Sequence, residues 1–491
     1  MDFLNMKTLL LGNTTVRQTI LKNAFWLTAS TVTNKLLALG LVIYAARILG
    51  AEGYGQFTFA LAFVSLLMVF AYFGLPPIVT REFAREKERS EEFYSLLSLK
   101  ILLALGTFVL IAAFSFFMPS AQNIQLLIFV LAGFFLLNSF IGICYALFHA
   151  RQKMEYEAWF ETAQSLLVVA FGFAVLFQFP SPVNLGYAYF FAGLGALGAL
   201  LVFFHMRIFP LRIAWDIAVW KKFMRMSWPL ALIGVFGAIY SFTDSVMLGY
   251  WGLIIETGWY NAAYKLVTAS LIPMGFIGAA FYPMLSKFSR ESKEKLQKVW
   301  EHEIEIMILL AVPLVIGGVA LASNIISTFY TPEFAPSILA FQILIGTAGF
   351  IFLYRPLYDA MIVLDQERKT FWITMTGAVL NVVLNFILIP LYSLYGAAIA
   401  TVGTHASVLL IMLFFIKRFT FLRFPVFRIF LTFTFSLVSS GVMYAFLVWA
   451  LGYTMHVFFV VPGGAAVYFA ALFFLRRYVA LQYFKQAYVY V

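Results

Sequence analysis

Apolar stretches of about twenty residues recur along the whole chain, separated by short polar turns. At 1.5 Å per residue each is long enough to cross a hydrocarbon layer of ~30 Å. Cutting at charge clusters and turn residues predicts spans near 24–46, 56–80, 94–118, 125–148, 159–179 and 185–206. Six more fall near 227–250, 260–285, 303–329, 336–361, 369–391 and 395–416, and a final pair near 428–451 and 456–475. No segment remains for a soluble domain. The expected fold class is an all-α membrane protein with about 14 transmembrane helices.

Charge placement orients these spans. Lys and Arg cluster in alternate loops, as around Arg81 and Arg85, Arg151 and Lys153, Lys221 and Lys222, Lys287 and Arg290, and Lys417 and Arg418. The loops on the other side hold only Arg47. Positive residues in short loops stay cytoplasmic, so both termini are expected in the cytoplasm, in a multi-pass protein of the cell (inner/cytoplasmic) membrane. The N-terminus lacks the order of a cleavable signal peptide, and residues 1–22, with Lys7, Arg17 and Lys22, read as an amphipathic lead-in.

Composition agrees with that solvent: 63% of the 491 residues are hydrophobic and 11% charged, far below the quarter usual in soluble chains. The 57 Phe residues suit lipid contact. The net charge of +11 then reads as a topology signal and a match to anionic membrane lipids, and nucleic acid is not an expected partner. The one cysteine, Cys144, lies in an apolar run and reads as packing. The five histidines are widely spaced, and no GxxxxGK phosphate loop occurs, so neither a metal site nor a nucleotide cofactor is expected.

The chain also resembles itself. At an offset of 205 residues Gly53, Ser65, Arg85 and Glu86 match Gly258, Ser270, Arg290 and Glu291. At 210 residues Phe140, Glu157, Pro180 and Gly186 match Phe350, Glu367, Pro390 and Gly396. Six spans separate the copies, so the repeat is parallel and predicts two pseudo-symmetric six-helix lobes. The expected organisation is an N-terminal lobe over 1–206, a cytoplasmic amphipathic linker over 207–226, a C-terminal lobe over 227–418, and a final helix pair with a cytoplasmic tail over 419–491.

Ionisable residues within spans carry the candidate chemistry, because each needs a partner, a watered cavity or an escape to the interface. Lys35 falls near the middle of the first span beside Asn34. Asp244 and Lys265 share a depth on adjacent spans, which makes an ion pair feasible and Asp244 a candidate protonation-sensitive group. Arg355 and Asp359 lie one helical turn apart beside Pro356, and the planar fork of Arg355 suits an anionic headgroup better than a local pair. Lys100 is close enough to the cytoplasmic end of its span to snorkel.

The stretch ARILGAEGYGQFTFALAFVSLLMVFAYFGLPPIVTREFARE, residues 46–86, resembles the oligosaccharide flippases, the Wzx-type members of the polysaccharide-transporter family within the multidrug/oligosaccharidyl-lipid/polysaccharide exporter superfamily. Arg47-Ile48-Leu49-Gly50, Gly53-Tyr54-Gly55 and Phe73-Gly74-Leu75 carry the likeness. It implies two lobes around a central cavity that opens alternately to each side. The cargo it implies is a polyprenyl-(pyro)phosphate-linked oligosaccharide moving from the cytoplasmic to the outer leaflet, alongside polysaccharide-assembly proteins. Lys35, Lys265, Arg355 and Asn34 are then the candidate substrate-binding residues, and Asp244 and Asp359 the candidates for ion pairing or for coupling to protons or sodium. The alternatives of the same fold are a peptidoglycan-precursor flippase and a multidrug or cation antiporter. An integral-membrane polymerase or glycosyltransferase would carry a long external loop with catalytic carboxylates, and here Glu52 and Glu256 stand isolated in short loops.

Overall fold

The computed structural model describes residues 15–85, 90–118, 122–208, 212–452 and 455–487. Its helices are α1 (Val16–Leu67), α2 (Val69–Tyr72), α3 (Leu75–Arg85), α4 (Ser90–Ser115), α5 (Gln122–Ala150), α6 (Met154–Gln178), α7 (Pro182–Arg207) and α8 (Ile217–Tyr250). They continue with α9 (Ile254–Ser270), α10 (Ile272–Glu291), α11 (Lys293–Phe329), α12 (Ser337–Val363), α13 (Glu367–Phe419), α14 (Val426–Gly452) and α15 (Val457–Ala487). A single 3-10 turn, Pro332–Phe334, precedes α12.

Among the described residues, 12 helical runs are long and apolar enough to cross a membrane. Two are much longer than one crossing needs, Gln18–Arg85 at 68 residues and Glu367–Phe419 at 53. Each has a residue with positive φ near its middle, Gly50 at 68° and Ser393 at 53°, and the first run breaks again at Phe73 and Gly74. Gly50 takes that conformation without a Cβ clash, whereas Ser393 holds one that L residues rarely adopt. Both fall in outer turns expected from the charge pattern. At 1.5 Å per residue, each run is long enough for at least two crossings.

The chain groups into two compact units, Met1–Gly258 and Trp259–Val491. This division lies later than the 206/227 boundary expected from the repeat, because α8 packs on α1, α3 and α4. The expected linker helix also differs. Residues 212–216 are not helical, and α8 begins at Ile217, where the Asp216 carboxylate accepts from the amides of Ala218 and Val219 at 2.8 and 3.2 Å. The Trp220 indole donates to the Ser95 carbonyl at 2.9 Å, and the Ser98 hydroxyl to that of Ala214 at 2.6 Å. Those bonds strap residues 212–216 to α4, and the rest of the expected linker, 217–226, forms the first turns of α8.

In the first unit the core is built from Leu41, Phe57, Phe63, Leu127, Leu131 and Leu185, with a second cluster around Phe93, Phe148, Phe204 and Phe223. In the second, α11 packs between α12 and α14, and α14 against α15. The final pair is thus fastened to α11, where the Tyr468 hydroxyl donates to the Leu309 carbonyl at 2.7 Å and meets Ser436 at 2.8 Å. Large apolar residues also cover the surface, with Phe177 81% exposed, as a lipid-facing protein requires.

Candidate functional site

Within the first unit α1, α2, α5, α6 and α7 line a partly open cavity of about 400 Å³. Helical spacing brings its polar lining together: Asn34 on α1, Asn138 on α5, and Glu161, Gln164 and Ser165 on α6. Tyr72, Tyr145 and Tyr189 add phenol edges to walls that include Leu41, Phe134 and Val168. The Gln164 amide donates to the Asn138 side-chain carbonyl at 2.8 Å, and the Asn138 amide to the Phe134 backbone carbonyl at 3.1 Å. The Glu161 carboxylate lies against Ser30 and Asn34. A few convergent polar groups on apolar walls are the usual makeup of a small-molecule site.

Tyr72 reaches this cavity because its helix breaks immediately afterwards. Phe73 and Gly74 have φ of 47° and 64°, which ends the ladder of α2. The Lys100 ammonium, 1% exposed, donates to the Ala71 carbonyl at 2.6 Å and lies 5.4 Å from the Tyr72 ring. The expected snorkelling of Lys100 is therefore corrected: the lysine is buried because the broken helix offers it an acceptor.

The second unit holds a different polar group. On α12 the Arg355 Nε donates to Asp359 Oδ2 at 2.7 Å, with the Asp359 side chain 2% and that of Arg355 33% exposed. Gly278 of α10 lies against the guanidinium. The Trp300 indole of α11 donates to the Pro356 carbonyl at 3.1 Å, which sets the register between α11 and α12. One turn from Trp300 is Glu303, fully buried, in the electrostatic field of Asp359 and Arg355.

The residues expected from sequence are thus distributed over both units. Asn34 lines the cavity. Lys35 beside it is exposed on the first unit and is not among the lining residues. Asp244 is buried on α8 in the first unit, and Lys265 is half-buried on α9 in the second. Arg355 and Asp359 form the local pair that the sequence reading set second to a headgroup contact. Sequence reasoning did not single out Glu161, Gln164, Asn138 or Glu303. Their signal was present, since Glu161 and Glu303 fall at the starts of the spans 159–179 and 303–329, where an end position reads as interfacial. The buried pair of Lys22 with Glu155 at 2.9 Å, which ties the start of α1 to α6, was likewise read only as part of a surface lead-in.

Helix length and apolar surface define a multi-pass membrane protein whose first unit holds a largely apolar cavity with a few polar groups. Its fold is shared with a solved lipid II flippase, MurJ, in an inward closed conformation, at a TM-score of 0.75 and 14% identity over 92% of this chain and 99% of that one. The chain belongs to the polysaccharide biosynthesis protein family, whose pattern matches residues 20–289. It is 25% identical over 416 residues to an uncharacterized membrane protein of Methanocaldococcus jannaschii, covering 81% of this chain and 98% of that protein. It is 23% identical over 211 residues to the probable low-salt glycan biosynthesis flippase Agl15 of Haloferax volcanii, covering 43% of this chain and 45% of that one.

Proposed function

We propose that this protein is a flippase that moves a lipid-linked oligosaccharide from the cytoplasmic to the outer leaflet by alternating access. The observation that carries this reading is the cavity of about 400 Å³ in the first unit, lined by amides, phenols and one carboxylate. Sugar hydroxyls lose water at a cost of several kcal/mol each unless they meet such groups, while the lipid tail needs none and can stay in the bilayer. Membership of a polysaccharide biosynthesis family and the likeness to two flippases support the same cargo class. Among the described residues no Lys or Arg lines the cavity, so the phosphate of the carrier is assigned to cations elsewhere, with Lys35, Lys265 and Arg355 as the candidates.

The test is headgroup accessibility in proteoliposomes supplied with a polyprenyl-pyrophosphate oligosaccharide or, separately, with lipid II. Protein-dependent translocation of the oligosaccharide, reduced in Asn138→Ala and Gln164→Ala, is the expected result. Translocation of lipid II alone would move the reading to a peptidoglycan-precursor flippase, and translocation of neither substrate would end it. A second reading rests on Glu161, because a carboxylate in a cavity without cations also suits an organic cation. Efflux of a fluorescent organic cation from the same vesicles, without glycan movement, would favour that antiporter.

A further inference from the structure

Glu303 stands out among the buried polar residues. It has no solvent exposure, and neither carboxylate oxygen has a hydrogen-bond partner among the described residues. These groups on α11 and on the helices packed against it are otherwise committed. On α12 Arg355 is bonded to Asp359. On α10 the residue against Arg355 is Gly278, which has no side chain. Arg428 of α14 pairs with Glu301 at 3.1 Å, and Tyr468 of α15 donates to Leu309. On α11 itself His302 is exposed with Nδ1 at the Lys298 carbonyl, and Glu305 is half-buried.

An ionised carboxylate with no donor in such a place costs several kcal/mol, so a ligand has to neutralise it. A sodium ion or a larger metal needs several oxygen ligands around it, and the neighbouring guanidinium repels it. A proton needs no such shell. We propose that Glu303 is a proton-binding site of the second unit, protonated in the packed arrangement and releasing its proton to water when α11 and α12 part during transport. With the proton bound, Glu303, Arg355 and Asp359 are together neutral. With it released to form hydronium, the Glu303 carboxylate competes with Asp359 for Arg355, which links proton movement to the packing of two helices. This coupling role rests on the transporter reading, whereas the proton site does not.

Infrared titration of the full-length protein in lipid nanodiscs tests the site without any cargo. At neutral pH a carbonyl band of a protonated carboxylic acid in dry surroundings is expected, lost in Glu303→Gln and kept in Glu301→Gln. Superimposable spectra of wild type and Glu303→Gln would overturn the site. Should the Gln variant not fold, Glu303→Asp must move the band, and an unmoved band overturns the site equally. In proteoliposomes carrying a polyprenyl-pyrophosphate oligosaccharide, translocation by the wild type should change severalfold under a pH gradient, and that of Glu303→Gln should not. A wild type indifferent to the gradient would overturn the coupling. The Glu303 band without movement of any glycan would keep the proton site and remove the flippase reading.

Discussion

The Lys100 ammonium donates to the Ala71 carbonyl at 2.6 Å across a helix that breaks at Phe73 and Gly74. A hydrogen bond from a charged donor contributes about 1.5–3 kcal/mol, and its loss would leave a buried carbonyl without this donor. Lys100→Met, which keeps the length of the side chain, should therefore lower stability by about 2 kcal/mol. Thermal unfolding in detergent reads this as a drop of several degrees. A variant as stable as wild type would mean that the break holds without the lysine.

Two glycines at a helix crossing make a second prediction. A Cβ on Gly55 would stand 1.9 Å from the Ile254 carbonyl oxygen, and one on Gly258 would stand 2.1 Å from that of Ala51. Backbone cannot yield as a flexible side chain does, so the first-unit segments 51–55 and 254–258 can approach this closely only without side chains there. Gly55→Ala and Gly258→Ala should each cost about 1–3 kcal/mol by overpacking. Neither should rescue the other, because each methyl meets a different carbonyl. Restored stability in the double variant would contradict this geometry.

Those two sites also mark how far the sequence could be read. Gly53-Tyr54-Gly55 and Gly258 were visible as motif and repeat, but their contact depends on helix rotation, which hydropathy does not encode. The turns at Gly50 and Ser393 were legible because the charge pattern requires a reversal there, while the continuous helix on either side of them was not. Asn34 was reached as the neighbour of Lys35, yet the two lie at different places on α1, one in the cavity and one exposed. Glu161 and Glu303 were missed because depth alone cannot tell a carboxylate that snorkels from one covered by neighbouring helices. Lys100 was misread for the same reason, since its acceptor exists only once α2 breaks.

The pair of Arg355 with Asp359 makes a test by double substitution. Removing one partner of a buried pair costs about 3–5 kcal/mol, and Arg355 is one-third exposed, which places the cost near the lower end. Arg355→Gln should thus destabilise by about 3 kcal/mol, and addition of Asp359→Asn should recover most of it. A folded, stable double variant that no longer translocates a polyprenyl-pyrophosphate oligosaccharide would give Arg355 the headgroup role as well as the structural one. Full activity in that variant would confine the pair to structure.

Glu161 separates the two readings of the cavity, because its charge and its hydrogen-bonding capacity can be removed one at a time. Glu161→Gln removes the negative charge and leaves an amide able to bond sugar hydroxyls. Glu161→Ala removes both. If the cavity holds a glycan, the Gln variant should keep most of its translocation while the Ala variant loses about tenfold, the equivalent of about 1.4 kcal/mol and the size of one good hydrogen bond. If it holds an organic cation, the Gln variant should already be inactive, since the charge in a cavity without other ions is what attracts the ligand. Headgroup accessibility and dye efflux measured on the same vesicles decide between them, with thermal stability of both variants recorded to exclude a folding defect. Equal loss in Gln and Ala with intact folding would reject the glycan assignment of this cavity.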